Sequence, residues 1–250
     1  MKTTILLFLC LCLPHRSATA GVINSIHNHL YNRQKIKEAR RWSLVGAFSE
    51  NSQSDLFAQF LTSNPEASIF EFQIYASGGA YQLKPKSVEV DQAEGSVFSY
   101  GGFAYFWIFG FERDVFDLDA SRVTKNRIHF RVLGDSEQNT HFSVFYGQRF
   151  NESLVALGDE FENKLYGLDL QLYLQNQIGV SALFEVLKKS SDDDFQQLSG
   201  TTVTWEAFVE LGAYRLFAQW IQQKHRGSSQ RSLNFESHRF IQRYGLKFFF

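Results

Sequence analysis

Cysteine is almost absent, and the two that occur, Cys10 and Cys12, lie inside an apolar run near the N-terminus. If that run is removed, the remaining chain has no disulfide, no thiol nucleophile and no thiolate metal ligand. An exported protein without staples needs another way to hold its shape, and a closed hydrogen-bonded sheet supplies one. Proline (3) and methionine (1) are scarce. Neither sign of charge dominates. Taking Lys2 and Arg16 from the 25 basic residues leaves 23 against 26 acidic ones, a net charge near −3. That balance excludes nucleic acid as an electrostatic partner. Beyond residue 20 no apolar run is long enough for a spanning helix. No Gly-rich phosphate loop, dinucleotide fingerprint or nucleophile elbow occurs, so no cofactor is expected. His27-Asn28-His29 is the nearest approach to metal-ligand spacing, and one such pair is too little to assign a metal.

What the chain does have is aromatic residues. Phe alone numbers 26 and aromatics reach 16%, yet the average hydropathy is slightly polar. Alternation explains the contradiction, because a strand with one face in lipid and one in water averages to neither.

Residues 1–20 carry Lys2, an apolar stretch from Ile5 to Leu13, Pro14 and then Ala18-Thr19-Ala20. A charged start, about ten apolar residues and an A-x-A site read as a cleaved secretory signal; the stretch is too short to span. Leu9 and Leu11, which precede the cysteines, do not suit a lipoprotein site. Residues 21–40 do not alternate. Ile23, Ile26, His27 and Leu30 share a helical face followed by basic residues, consistent with a periplasmic segment bearing a short amphipathic helix or with a linker.

From residue 41 to 250, period-2 segments recur between polar clusters. Tyr166, Leu168, Leu170, Leu172 and Leu174 alternate with Gly167, Asp169, Gln171 and Tyr173. Ile178 to Val186, Val203 to Leu211 and Tyr214 to Trp220 repeat the pattern, as do Ile128 to Val132, Phe142 to Tyr146, Trp42 to Phe48 and Phe70 to Ala76. In the closing strand, His238–Phe250, Phe240, Tyr244, Leu246, Phe248 and Phe250 oppose Arg239, Arg243 and Lys247. Facing those cations into lipid would cost about 2–4 kcal/mol each at the midplane, against a few tenths for a cross-strand pair. The cations therefore face inward. Ser96–Phe111 is aromatic on both faces and reads as one long strand, and Lys84-Pro85-Lys86 interrupts Tyr81–Val90. Counting Leu56–Thr62 and Tyr81–Val90 gives twelve strands, and omitting both gives ten. The expected fold is all-β, a closed antiparallel transmembrane β-barrel of ten to twelve strands, with twelve favoured. Outer loops are expected near 112–126, 151–163, 189–200 and 225–235, and short inner turns near 134–139, 176 and 212.

With this closing motif and strand run, the chain resembles a bacterial outer-membrane β-barrel protein. The resemblance implies an outer-membrane location, contact with outer-membrane lipid and lipopolysaccharide, and insertion by the barrel-assembly machinery. Tyr244, Leu246, Phe248 and Phe250 would carry the assembly signal. It implies no single function and no oligomeric state, because such barrels include pores, enzymes, adhesins and anchors.

Alternation turns His129, Arg131, His141, Arg149, Asp169 and Glu185 into the lumen, together with Glu206, Glu210, Arg215, Arg239, Arg243 and Lys247. These are either ion pairs filling a small barrel or a charge ring lining a pore. His141 and Ser143 are the candidate pair for hydrolysis, since outer-membrane lipid hydrolases use His-x-Ser. Here Val144-Phe145 follows, where such enzymes carry Asn-Gly or another small pair, and the pair sits at an inner strand end facing inward. Asp192-Asp193-Asp194 lacks the spacing of a calcium loop. The expected function is non-enzymatic: a narrow channel for small solutes or a filled structural or surface barrel. A lipid-modifying hydrolase is the first alternative and an adhesin acting through its outer loops the second.

Overall fold

The computed structural model describes residues 70–85, 93–119, 121–134, 140–152, 161–175, 177–188, 197–228 and 234–249. The leader, the segment 21–40, the strands read at Trp42–Phe48 and Leu56–Thr62, the Asp192–Asp194 run and Phe250 lie outside the described residues.

Ten antiparallel strands close into a ring. They are β1 (Phe70–Pro85), β2 (Ala93–Phe106), β3 (Phe109–Leu118), β4 (Ser121–Leu133), β5 (His141–Glu152), β6 (Phe161–Tyr173), β7 (Ile178–Leu187), β8 (Gln197–Leu211), β9 (Tyr214–Ser228) and β10 (Asn234–Phe249). Each strand pairs with its chain neighbours, and β1 pairs with β10 from Gln73↔Phe249 to Pro85↔Ser237. Closure leaves no edge to template aggregation.

The outer surface is an apolar belt. Ile74, Phe98, Phe111, Ile128, Tyr146, Leu168, Phe184, Trp205, Leu216 and Tyr244 are all exposed on it. On β6 the belt runs from Tyr166 to Leu174. At roughly 3.3 Å per residue and a tilt near 40° this spans about 20 Å of membrane height. Aromatic pairs gird the end with the shorter turns: Phe70 with Phe106 (centroids 5.2 Å apart), Phe109 with Phe130 (5.7 Å) and Tyr214 with Phe248 (5.1 Å). By the habit of such barrels this end is the inner one. The architecture is a closed antiparallel transmembrane β-barrel. Leu170→Arg places a cation in mid-belt and is expected to cost about 2–4 kcal/mol of stability in urea titration of the lipid-inserted protein. Lys224→Ala, at the outer rim, should change it little.

Among the described residues the barrel has ten strands, not the favoured twelve. Phe70–Pro85 is a single strand, because Phe72, Ile74, Ala76, Gly78 and Ala80 keep one parity straight through the Gly78-Gly79 pair. Pro85 falls at the strand's last residue, where a missing donor matters least. Ser96–Phe111 is not one strand either. It breaks at Trp107-Ile108 into β2 and β3, with Phe106 paired to Phe109. A two-residue turn puts the residues flanking it on the same face, so Phe106 and Phe109 both point outward and the inward parity switches from odd to even numbers. That switch turns Phe109 and Phe111 outward, while Phe103 and Tyr105 on β2 do face the interior. Trp107 has φ +56°, a region where glycine or asparagine normally signals the turn and a bulky residue is strained. The outer loop expected at 112–126 is mostly strand: β3 and β4 meet at Asp119, whose carboxylate accepts from the Ser96 amide (3.0 Å) and hydroxyl (2.7 Å). The expected loop at 225–235 shortens because β9 continues to Ser228.

Candidate functional site

The inward residues carry the chemistry. At the outer level, Lys125 on β4 reaches across to Glu185 on β7, Nζ to Oε1 2.7 Å, with neither side chain more than 3% exposed. Arg127 donates to Glu112 at 2.7 Å and lies 3.4 Å from Glu185 and 3.8 Å from Asp114. His129 shares Glu112 at 2.9 Å. Arg131 pairs with Glu71 at 3.3 Å and stacks over Tyr105 at 4.0 Å.

A second group gathers on the last strands. Arg215 donates to Glu210 at 2.8 Å, to Gln171 at 2.7 Å and to the Tyr173 hydroxyl at 2.8 Å, so it reaches from β9 to β6. Its guanidinium is 3.9 Å from the Phe208 ring and 4.7 Å from Phe249. Tyr173 in turn donates to Glu210. Lys247 holds Glu206 at 2.7 Å, and Gln219 donates to Glu206 as well. Arg243 links the two groups: it donates to Gln219 at 2.5 Å and to Ser99, and lies 3.9 Å from Asp114.

Burial without pairing would cost several kcal/mol per ion, which is why each inward carboxylate here has a basic partner. Bonds between strands that are not neighbours, such as Lys125 to Glu185 and Arg215 to Gln171, fill the centre of the tube. A cavity of about 120 Å³ remains at the waist, lined by Tyr75, Phe103, Glu112, His129, His141, Asp169, Arg215 and Lys247, among others. That is room for a handful of waters.

The sequence-derived lumen residues take these places. His129, Arg131, Arg149, Glu185, Glu206, Glu210, Arg215, Arg239 and Arg243 are buried in the interior; His141, Asp169 and Lys247 are partly buried and line the waist cavity. Sequence reasoning missed Glu112, Asp114 and Lys125, since they fell in the stretch read as a loop. A parity check on 109–118 would have found Glu112 and Asp114. Alternation had put Gln171, Tyr173 and Gln219 opposite the apolar row but assigned them no role, and Ser99 and Tyr105 were not singled out as bracing groups.

His141 and Ser143 bond to different partners. Ser143 is fully buried and its Oγ is 3.1 Å from the Tyr105 hydroxyl. His141 Nε2 lies 3.1 Å from Asp169 Oδ2, and no described hydrogen bond joins the histidine to the serine. Of the assembly-signal residues, Tyr244 and Leu246 are exposed on the outer face and Phe248 packs on Tyr214.

No protein-family model matches the sequence, and no curated protein matches it. The solved structures similar to this chain include two outer-membrane proteins. One is the outer membrane protease OmpT from Escherichia coli, at 10% identity and TM-score 0.38, covering 76% of this chain and 99% of its own. The other is the translocator domain of the autotransporter NalP from Neisseria meningitidis, at 10% identity and TM-score 0.20, covering 81% and 95%. At these scores neither likeness carries an argument about what this chain does.

Proposed function

We propose that the protein is a non-enzymatic barrel of the bacterial outer membrane whose lumen is closed, a transmembrane scaffold and not an open pore. The single observation that carries this reading is the bonding across the lumen, with Lys125–Glu185 and Arg215–Gln171 crossing the space a solute would use. The apolar belt supports a membrane home. Lys84, Lys164, Lys188 and Lys224, exposed at the outer strand ends, support contact with lipopolysaccharide phosphates. The separate hydrogen-bond partners of His141 and Ser143, Asp169 and Tyr105, favour a non-enzymatic role over lipid hydrolysis. Purified protein in planar bilayers is expected to give no discrete current steps. Regular, lasting steps from the unmodified chain would remove the closed-lumen reading and restore the narrow channel.

A further inference from the structure

Two inward cations have no carboxylate partner among the described residues: Arg149 and Arg239. Arg149 is 2% exposed and Arg239 9%, and both border His225: Arg149 bonds to it, and Arg239 is the cross-strand partner of Gln223, two residues from His225. Glu185 is already bonded to Lys125 and close to Arg127. Arg149 donates from Nε to Asn151 Oδ1 at 2.9 Å and from Nη1 to His225 Nε2 at 3.0 Å. Accepting through Nε2 makes that imidazole neutral, so it offers no compensating charge. Arg239 rests over the Tyr81 ring at 5.7 Å, and its buried Nε has no hydrogen-bond partner. Thr202 Oγ1 and Gln223 Oε1 are likewise buried without partners. Register brings these groups together, because Thr202 pairs with Gln223 and Gln223 with Arg239 on adjacent strands. Two desolvated guanidinium groups beside an unpartnered hydroxyl make an unfinished site, and an unpaired buried charge is among the costliest features a fold can carry.

We propose that Arg149, Arg239 and Thr202 form a binding site for a small tetrahedral oxyanion, phosphate or sulfate, in the outer third of the lumen. A guanidinium presents paired N–H groups at the spacing of two phosphate oxygens, and the anion supplies the missing negative charge. The barrel wall separates the site from lipid headgroups, so the ligand is a soluble anion. The site goes beyond the closed-scaffold reading and stands whether or not the barrel conducts.

The test is thermal unfolding of the full chain in a phosphate-free non-ionic detergent, with inorganic phosphate exchanged for chloride at constant ionic strength. At saturating phosphate the midpoint should rise by about 3–6 °C. Arg149→Gln with Arg239→Gln should abolish the rise, and the outward-facing Arg113→Gln should keep it. If the double variant does not fold, Thr202→Val serves, with phosphate affinity by calorimetry expected to fall severalfold. No rise in the unmodified protein, or an undiminished response in the lumen variants, overturns the proposal.

Discussion

Glu185→Gln is expected to lower the unfolding free energy by about 3–5 kcal/mol, the range found when one partner of a buried ion pair is removed. Glu185 has no exposed surface and answers both Lys125 (2.7 Å) and Arg127 (3.4 Å). The amide keeps the shape but not the charge, so two cations stay buried with their shared counter-ion gone. Arg127 retains Glu112, while Lys125 has no other carboxylate within bonding distance among the described residues. The loss should therefore fall mainly on the lysine. Adding Lys125→Met to Glu185→Gln is expected to recover most of it, since replacing both members of a buried pair by neutral groups is often close to neutral. Urea-induced unfolding in lipid vesicles measures both. A double variant as unstable as the single would show that the pair is not the unit that matters.

The second large effect concerns conductance. Arg215 and Glu210 form a charge-compensated unit, and Arg215 extends it to Gln171 and the Tyr173 hydroxyl. Replacing both by alanine removes one positive and one negative charge together with the side chain that crosses the lumen at its inner end. Because Lys125–Glu185 crosses the lumen at another height, this paired deletion is expected to give small, discrete current steps in planar bilayers only when combined with Lys125→Ala/Glu185→Ala. The paired deletion avoids a stranded charge, so the ring should still close; heat-modifiable migration on gels checks that it has folded. A folded quadruple variant that stays silent would show that these crossings are not what closes the lumen.

Much of this architecture can be read from alternation. The partition of Arg239, Arg243 and Lys247 inward and Tyr244 and Leu246 outward follows from parity and from the cost of a cation in hydrocarbon. The strands from His141 onward follow in the same way. Parity fails where the chain turns without announcing it. Trp107-Ile108 contains no glycine, asparagine or proline, so two strands read as one, and every inward residue of β3 was lost with the turn. The reverse error was to read Phe70–Ala76 and Tyr81–Val90 as separate strands, where one strand runs unbroken from Phe70 to Pro85. The candidate site shows a different limit. Sequence tells which side chains enter the lumen but not which ones meet across it, because Lys125 and Glu185 are sixty residues apart and three strands removed. Only the curvature of the closed ring brings them together.

Those crossings also bear on mechanics. An empty cylinder of sheet flattens readily when the surrounding bilayer squeezes it, since ovalisation bends the wall without breaking ladder bonds. Here chords of the ring are spanned by polar struts, the Lys125–Glu185 ion pair at one height and the Arg215 to Gln171 hydrogen bond at another. Flattening the hoop along one axis would stretch or crush them, so the barrel should keep a round cross-section under lateral pressures that deform a hollow one of equal strand number.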